Sequence, residues 1–222
     1  MMIAYYSADI ACELKEYTVM TLIIENQKVF SDIVSDINNQ LEGYSGEFVL
    51  SEDFSPLDMR KHAELVTGFI PFELNRKELL NKIYSSLKAK AVDANYYQKT
   101  QELTAYISKY LFELTTDEEQ GLIAEIPEDI GSILKAFNVK IDDDKLTLAE
   151  KILEYMTTVN RYKGERVFFL VNLRSYLTDK QAEELFESVV LKKIKLVCIE
   201  NKEYKRLRYE NAIIIDEDMC VI

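Results

Sequence analysis

Residues 164–190, GERVFFLVNLRSYLTDKQAEELFESVV, contain the pattern that decides the fold. Gly164 predicts a turn, residues 167–171 are a short and fully apolar run, and a helical period follows Thr178. A buried strand followed by a helix is the unit from which parallel α/β sheets are built, and many such sheets bind nucleotides just beyond the carboxyl ends of their strands. The stretch therefore predicts an α/β domain and raises the question of whether it binds a nucleotide.

Two capping boxes mark the helices around this strand. Thr147 and Glu150 fit a T-x-x-E box that begins a helix running to about Tyr162, and Thr178 with Gln181 fits a second box. Further along, residues 195–200 (KLVCIE) and AIIID at 212–216 predict strands, with a short basic helix near 202–208 between them. Strands joined by helices of this length are parallel, with right-handed crossovers.

The first fifty residues predict the order strand, strand, helix, strand. Residues 2–7 and 18–25 are rich in β-branched and aromatic residues, and residues 46–53 form another short β pattern. Asn26 is a plausible N-cap and Gly43 a plausible stop for the helix between them. Its apolar positions recur at helical spacing: Val29, Phe30, Ile33, Val34, Ile37 and Leu41.

From about residue 75 to 137 the pattern is helical, with no clear strand. Three apolar stripes are expected to make core contacts between two or three packed helices. They are Leu79, Leu80, Ile83 and Leu87; Leu103, Ile107, Leu111 and Leu114; and Ile130, Ile133, Leu134 and Phe137. We therefore predict a discontinuous α/β head domain, residues 1–74 and 140–222, with an inserted helical leg domain, residues 75–139.

The composition and the spacing of a few residue types argue against several classes of protein. The 222 residues are 48% hydrophobic, yet no apolar run approaches the ~20 residues of a membrane span. The N-terminus lacks the basic head and apolar block of a secretion signal, so we expect a cytoplasmic protein. The three cysteines are far apart and form no zinc or disulfide pattern, and His62, the only histidine, has no catalytic pattern around it.

The phosphate-binding motif of nucleotide hydrolases is absent. None of the six glycines precedes a GK[ST] or belongs to GxGxxG. The strand at 167–171 ends in Asn172, which is uncharged and a poor replacement for a magnesium-binding aspartate. ATP hydrolysis is therefore not expected, and no catalytic residue is predicted.

Charge is strongly segregated in this chain, whose net charge is −12. Residues 115–150 contain ten acidic residues and three lysines, a net −7, which fits either a solvated face or a calcium site, although the EF-hand spacing is missing. Residues 76–114 carry a net +3 and residues 191–208 a net +5. Solvated helix faces explain many such lysines, but a phosphate-backbone surface is compatible with both segments.

Three stretches of the sequence together are typical of one known family: ILKAFNVKIDDDKLTLAEKILEYM (133–156), RVFFLVNLRSYLTDKQAEELF (166–186) and KLVCIENKEY (195–204). In these stretches most specifically, and over nearly its whole length, the chain resembles the CRISPR-associated adaptation protein of type II-A systems. The resemblance implies a degenerate P-loop-NTPase-like head with a mainly parallel sheet, a calcium-stabilised homotetrameric ring, and sequence-independent binding of double-stranded DNA ends. It also implies a role in spacer acquisition beside the CRISPR integrase proteins and the RNA-guided nuclease, without nuclease activity.

On this resemblance we predict two sets of site residues. The DNA-binding set is Lys82, Lys88, Lys90 and Lys99. The calcium-binding set brackets the break at Pro127 and comprises Glu118, Glu125, Glu128 and Asp129. Two alternatives remain at this stage, namely a cryptic nucleotide-dependent ATPase-like enzyme and a protein-only scaffold of a defence complex.

Overall fold

The computed structural model describes residues 1–116, 120–125 and 129–221. Two compact units divide the chain. The first, Met1–Leu74 with Asp143–Ile222, is called the head here, and the second, Asn75–Asp142, is called the leg.

The described residues form nine strands and seven α-helices. The strands are β1 (Met2–Tyr5), β2 (Ile10–Glu13), β3 (Val19–Ile24), β4 (Phe48–Glu52), β5 (Ser55–Pro56), β6 (Ala63–Val66), β7 (Val167–Val171), β8 (Lys195–Glu200) and β9 (Glu210–Ile215). The helices are α1 (Gln27–Leu41), α2 (Met59–His62), α3 (Lys77–Ala91), α4 (Tyr97–Thr116), α5 (Gly131–Ala136), α6 (Leu148–Lys163) and α7 (Asp179–Leu191). None of these helices is both long and apolar enough to cross a membrane.

A five-stranded parallel sheet forms the centre of the head, with the strand order β6-β7-β8-β3-β9. Every residue of β3 and β7 is buried, as expected for strands covered on both faces. The prediction of a strand at Val167–Val171 is confirmed, and so is the α/β class with a mainly parallel sheet.

The head also contains a second sheet that the sequence analysis did not separate from the first. It is antiparallel, with the order β2-β1-β4-β5. Its strand β2 was missed, because only Ile10 and Cys12 of its four residues are buried and the run is too short to show a period. Phe48 of this sheet contacts Phe169 of β7 edge-on, with ring centroids 5.4 Å apart, so both sheets share one core.

Side-chain caps begin the three long head helices. The Asn26 side chain accepts a hydrogen bond from the backbone N of Val29, and both predicted capping boxes, at Thr147 and Thr178, are present. The predicted basic helix near 202–208 is wrong, since this segment has no helical residue. Instead its backbone bonds to the head, where the carbonyl of Lys205 accepts a hydrogen bond from Arg174.

Among the described residues of the leg, helices are the only regular structure, but only one of the three predicted stripes contains buried residues. Leu79 and Ile83 of α3 are buried, and the Tyr84 hydroxyl donates to the carbonyl of Val139. Helix α4 has no buried residue, with Leu103 45% and Leu114 52% exposed, so its stripe makes no core contact of the predicted kind. The third stripe also contains no buried residue, because its positions lie on the short helix α5 and its flanks.

Candidate nucleic-acid interface

Two of the predicted DNA-binding lysines share one exposed face of α3. Lys82 and Lys90 are eight residues apart, which places them about 80° apart around the helix and about 12 Å apart along its axis. Ser86, also exposed, lies midway between them. The ammonium of Lys82 has no ion-pair partner among the described residues. This face therefore offers two cationic groups with a small hydroxyl group between them.

The end of α3 and the start of α4 extend this surface. Lys90 Nζ lies 4.9 Å from the centroid of the Tyr96 ring, a cation–π contact that orients the side chain without neutralising it. Lys99, in the first turn of α4, is exposed and makes no ion pair within the part of the chain that the structure describes. We call Lys82, Lys90 and Lys99 the leg cations.

Lys88 differs from the leg cations because it is already paired. It lies on another face of α3, where its Nζ is 2.8 Å from a carboxylate oxygen of Asp129. The other carboxylate oxygen accepts a hydrogen bond from the backbone N of Gly131 at 2.6 Å. The hydrogen bond from Lys88, followed by that from Gly131, lowers the pKa of Asp129. Lys88 thus joins α3 to the segment before α5, and it is available to a phosphate only after leaving Asp129.

The predicted calcium ligands are only partly within the described residues. Glu118 and Glu128 lie outside them. Glu125 is exposed, and together with Asp129 it lines an apolar cavity of about 500 Å³. Two carboxylates, one of them bonded to a lysine, are fewer than the six to eight oxygen ligands that calcium takes. Among the described residues no group of three or more His, Cys, Asp or Glu side chains is arranged to hold a metal ion.

The carboxyl edge of the parallel sheet is where a nucleotide would bind in an α/β fold. At this edge the amino end of α1 is closed by its own cap, since the Asn26 side chain accepts from Val29 N and donates to the carbonyl of Glu217. The neighbouring cavity of about 550 Å³ is lined by Glu25, Glu217 and Lys202, among others. Carboxylates beside a self-capped helix end repel a phosphate, in agreement with the missing glycine motif.

Sequence analysis missed a buried ionic cluster at the same edge. The Glu200 carboxylate, at the end of β8, accepts a hydrogen bond from the backbone N of Arg174 at 3.0 Å. The guanidinium of Arg174 bonds Asp179 at 2.7 Å and stacks 5.0 Å from the Tyr204 ring. Burial raises the pKa of Glu200 to about 7, although its contacts with Arg174 oppose that shift.

This cluster connects the loop after β7 with the irregular segment 201–209. The other Glu200 oxygen and two guanidinium nitrogens of Arg174 have no hydrogen-bond partner among the described residues. A signal for it exists in the sequence, since Glu200 ends the apolar run of residues 196–199 and Arg174 follows the fully apolar strand β7 by three residues. Such positions are buried, and a buried charge requires a partner of opposite sign.

Comparisons with known proteins match one family over most of the chain. The family model described as CRISPR-associated protein (Cas_Csn2) matches residues 40–219. CRISPR-associated protein Csn2 of Enterococcus faecalis is 26% identical over 216 residues, covering 93% of this chain and 91% of that protein. CRISPR-associated protein Csn2 of Streptococcus agalactiae is 24% identical over 220 residues, covering 94% and 91% respectively.

A solved structure resembles the fold at low sequence identity. The crystal structure of Stu0660 of Streptococcus thermophilus superimposes with a TM-score of 0.56 and 9% identity, covering 97% of this chain and 75% of that one. At that identity the likeness concerns the fold alone.

Proposed function

The chain belongs to the Csn2 family of CRISPR-associated proteins of type II-A systems, and from this membership we propose that it binds the ends of double-stranded DNA during spacer acquisition. The binding is independent of sequence and the protein acts in the cytoplasm. Its partners are the CRISPR integrase proteins and the RNA-guided nuclease of the same system.

The observation that carries the proposal is the position of the leg cations. Lys82, Lys90 and Lys99 are exposed on α3 and α4, and none of them forms an ion pair among the described residues. Cations that are not neutralised within the chain are free to neutralise phosphates. In a protein with a net charge of −12, such a local surface decides where DNA can approach.

Helix α4 supports the proposal that the protein works as a homotetrameric ring. A 20-residue helix with no buried residue leaves apolar side chains in water, among them Tyr106 at 73% and Phe112 at 67% exposure. Large exposed apolar faces of this kind mark interaction surfaces. Association through α4 would bring leg cations of several copies around one duplex.

The proposed mechanism is electrostatic. Each lysine that meets a phosphate releases a counterion, so affinity falls as salt rises. Lysine ammonium groups at phosphates carry no sequence information, which suits a protein that handles arbitrary DNA. No residue is proposed to act as a catalyst. At the carboxyl edge of the sheet, the amino end of α1 is capped by Asn26, which also bonds Glu217, and this argues against the alternative of an ATPase-like enzyme.

The degenerate P-loop-like character of the head and the calcium ion also belong to the proposal. Neither carries a step of the DNA-binding mechanism. Of the calcium candidates, Asp129 can bind an ion only by giving up Lys88, since one carboxylate oxygen holds that ammonium at 2.8 Å. Isothermal titration calorimetry of the DNA-free protein with calcium measures this binding directly.

The test compares linear and covalently closed circular duplexes of equal length in a gel-shift titration at low salt. We expect the linear form to bind more tightly, because a ring loads over an end, and we expect Lys82→Ala/Lys99→Ala to lose binding. The matched control is Lys28→Ala/Lys180→Ala, which removes the same charge from two head side chains that are each 86% exposed. A wild-type protein that binds neither duplex would favour the protein-only scaffold.

A further inference from the structure

The hairpin between β4 and β5 carries a fully exposed aromatic side chain in a strained turn. Its two tip residues, Asp53 and Phe54, have φ values of +48° and +62°, and Phe54 is 103% exposed. Left-handed backbone costs energy for every residue with a Cβ, and two-residue turns of this kind normally use Asn-Gly or Asp-Gly. The Phe54 side chain is not buried against any described residue, so packing within the described part of the chain does not account for an aromatic residue at this tip.

On the same head unit lies a small cavity that we call the socket. Its volume is about 260 Å³, below the range of drug-sized ligand pockets and suited to a single side chain. Its apolar floor is formed by Met20, Val190, Ile194 and Leu196. The socket opens at the amino ends of β3 and β8, on the opposite edge of the sheet from Asn26 and Glu200.

The rim of the socket is cationic overall and partly strained. Lys15, Lys193 and Lys195 line it, against two glutamates, Glu16 and Glu165. Neither Lys15 nor Lys193 has an ion-pair partner in the described ranges, and Lys193 has a φ of +54°. The hairpin tip brings the opposite charge, because Glu52 and Asp53 directly precede Phe54.

Hairpin and socket are neighbours on one surface. A carboxylate oxygen of Glu52 lies 3.8 Å from Nζ of Lys195, which lines the socket. Phe54 nevertheless points into solvent rather than into the socket of its own chain. A protrusion beside a complementary cavity on the same face suits a two-fold symmetric contact, since the protrusion of each copy then fills the cavity of the other.

From this arrangement we propose that the head unit binds a second copy of this chain, with Phe54 of each copy inserted into the socket of the other. The acidic tip residues meet the lysines of the rim. The inference deepens the proposed function and rests on it, since it assigns one contact surface of the proposed ring. It concerns the head and is independent of the exposed face of α4.

Sedimentation velocity over a range of protein concentrations, without DNA, tests the contact. We expect Phe54→Ala to weaken association about 30-fold, the loss typical of an aromatic anchor in a pocket. Tyr44→Ala, which removes a head aromatic that is 72% exposed and outside the hairpin and the socket, should change association less than about twofold. Circular dichroism confirms that each variant is folded.

Charge reversal separates a direct contact from an indirect effect on folding. Asp53→Lys and Lys193→Glu should each weaken association, and the double variant should recover most of the loss, because the attraction is restored with its signs exchanged. A wild-type protein that stays monomeric would refute the proposed ring and this inference together. A wild-type protein that associates while Phe54→Ala associates equally well, or a double variant no better than the singles, would overturn this inference alone.

Discussion

Replacing Lys82 and Lys99 by alanine removes two exposed ammonium groups that have no ion-pair partner among the described residues. If each meets one phosphate, the slope of log K against log salt should become shallower by ~1.8 for every subunit in contact, at ~0.9 per phosphate. Between 50 and 200 mM salt the wild type should therefore lose about tenfold more affinity than the variant for each such subunit.

Fluorescence anisotropy with a blunt 30-base-pair duplex, titrated at four salt concentrations, measures this slope. Lys28→Ala/Lys180→Ala, with the same change in net charge on the head, should keep the wild-type slope. Lys88→Ala should change it less than Lys82→Ala does, because Lys88 is bonded to Asp129. Equal slopes for wild type and Lys82→Ala/Lys99→Ala would refute the assignment of these lysines to the DNA surface.

Three further predictions concern the head. The pKa of Glu200 is raised to about 7 from an ordinary 4.5. Between these pH values the folded state holds a proton that the unfolded state releases, so the free energy of unfolding should fall as pH rises from about 4.5 to 7. Urea unfolding of Glu200→Gln should show a flatter dependence, and an unchanged slope would count against this assignment. Phe54→Gly should raise the unfolding free energy of dilute protein by ~1 kcal/mol, since glycine accepts the left-handed turn, and a loss of stability would contradict the strain. Thr147→Ala should cost ~1 kcal/mol in the same assay through the lost cap of α6, whereas no change would show that the cap is dispensable.

The sequence predicted the central strands β3, β7 and β8 of the parallel sheet because these strands are buried on both faces. Such strands are continuous apolar runs, and β7 begins and ends where the run of residues 167–171 does. The helices α6 and α7 were equally predictable, since each begins directly after a threonine cap, Thr147 or Thr178, whose capping-box partner lies three residues further on. Local chemistry was sufficient for these elements.

Elements whose stability depends on distant contacts were not predictable in this way. Segment 202–208 has helix-compatible residues, but Arg174 bonds its backbone and Tyr204 packs on that guanidinium, so no helix forms. The stripe of α4 has helical spacing but no buried residue in the part of the chain that the structure describes, and spacing alone cannot identify what covers it. The pairing of Lys88 with Asp129 joins residues 41 positions apart, which no local pattern indicates.

The central claim, that DNA lies against the exposed face of α3, is tested most directly by a photocrosslinker placed at residue 86, between Lys82 and Lys90. The matched control is the same crosslinker at residue 35, an exposed serine of α1 between the carboxylates of Asp32 and Asp36. On irradiation with linear duplex, we predict a crosslinked product from position 86 that disappears at high salt, and little or none from position 35. Crosslinking at position 35 but not at position 86 would contradict the account.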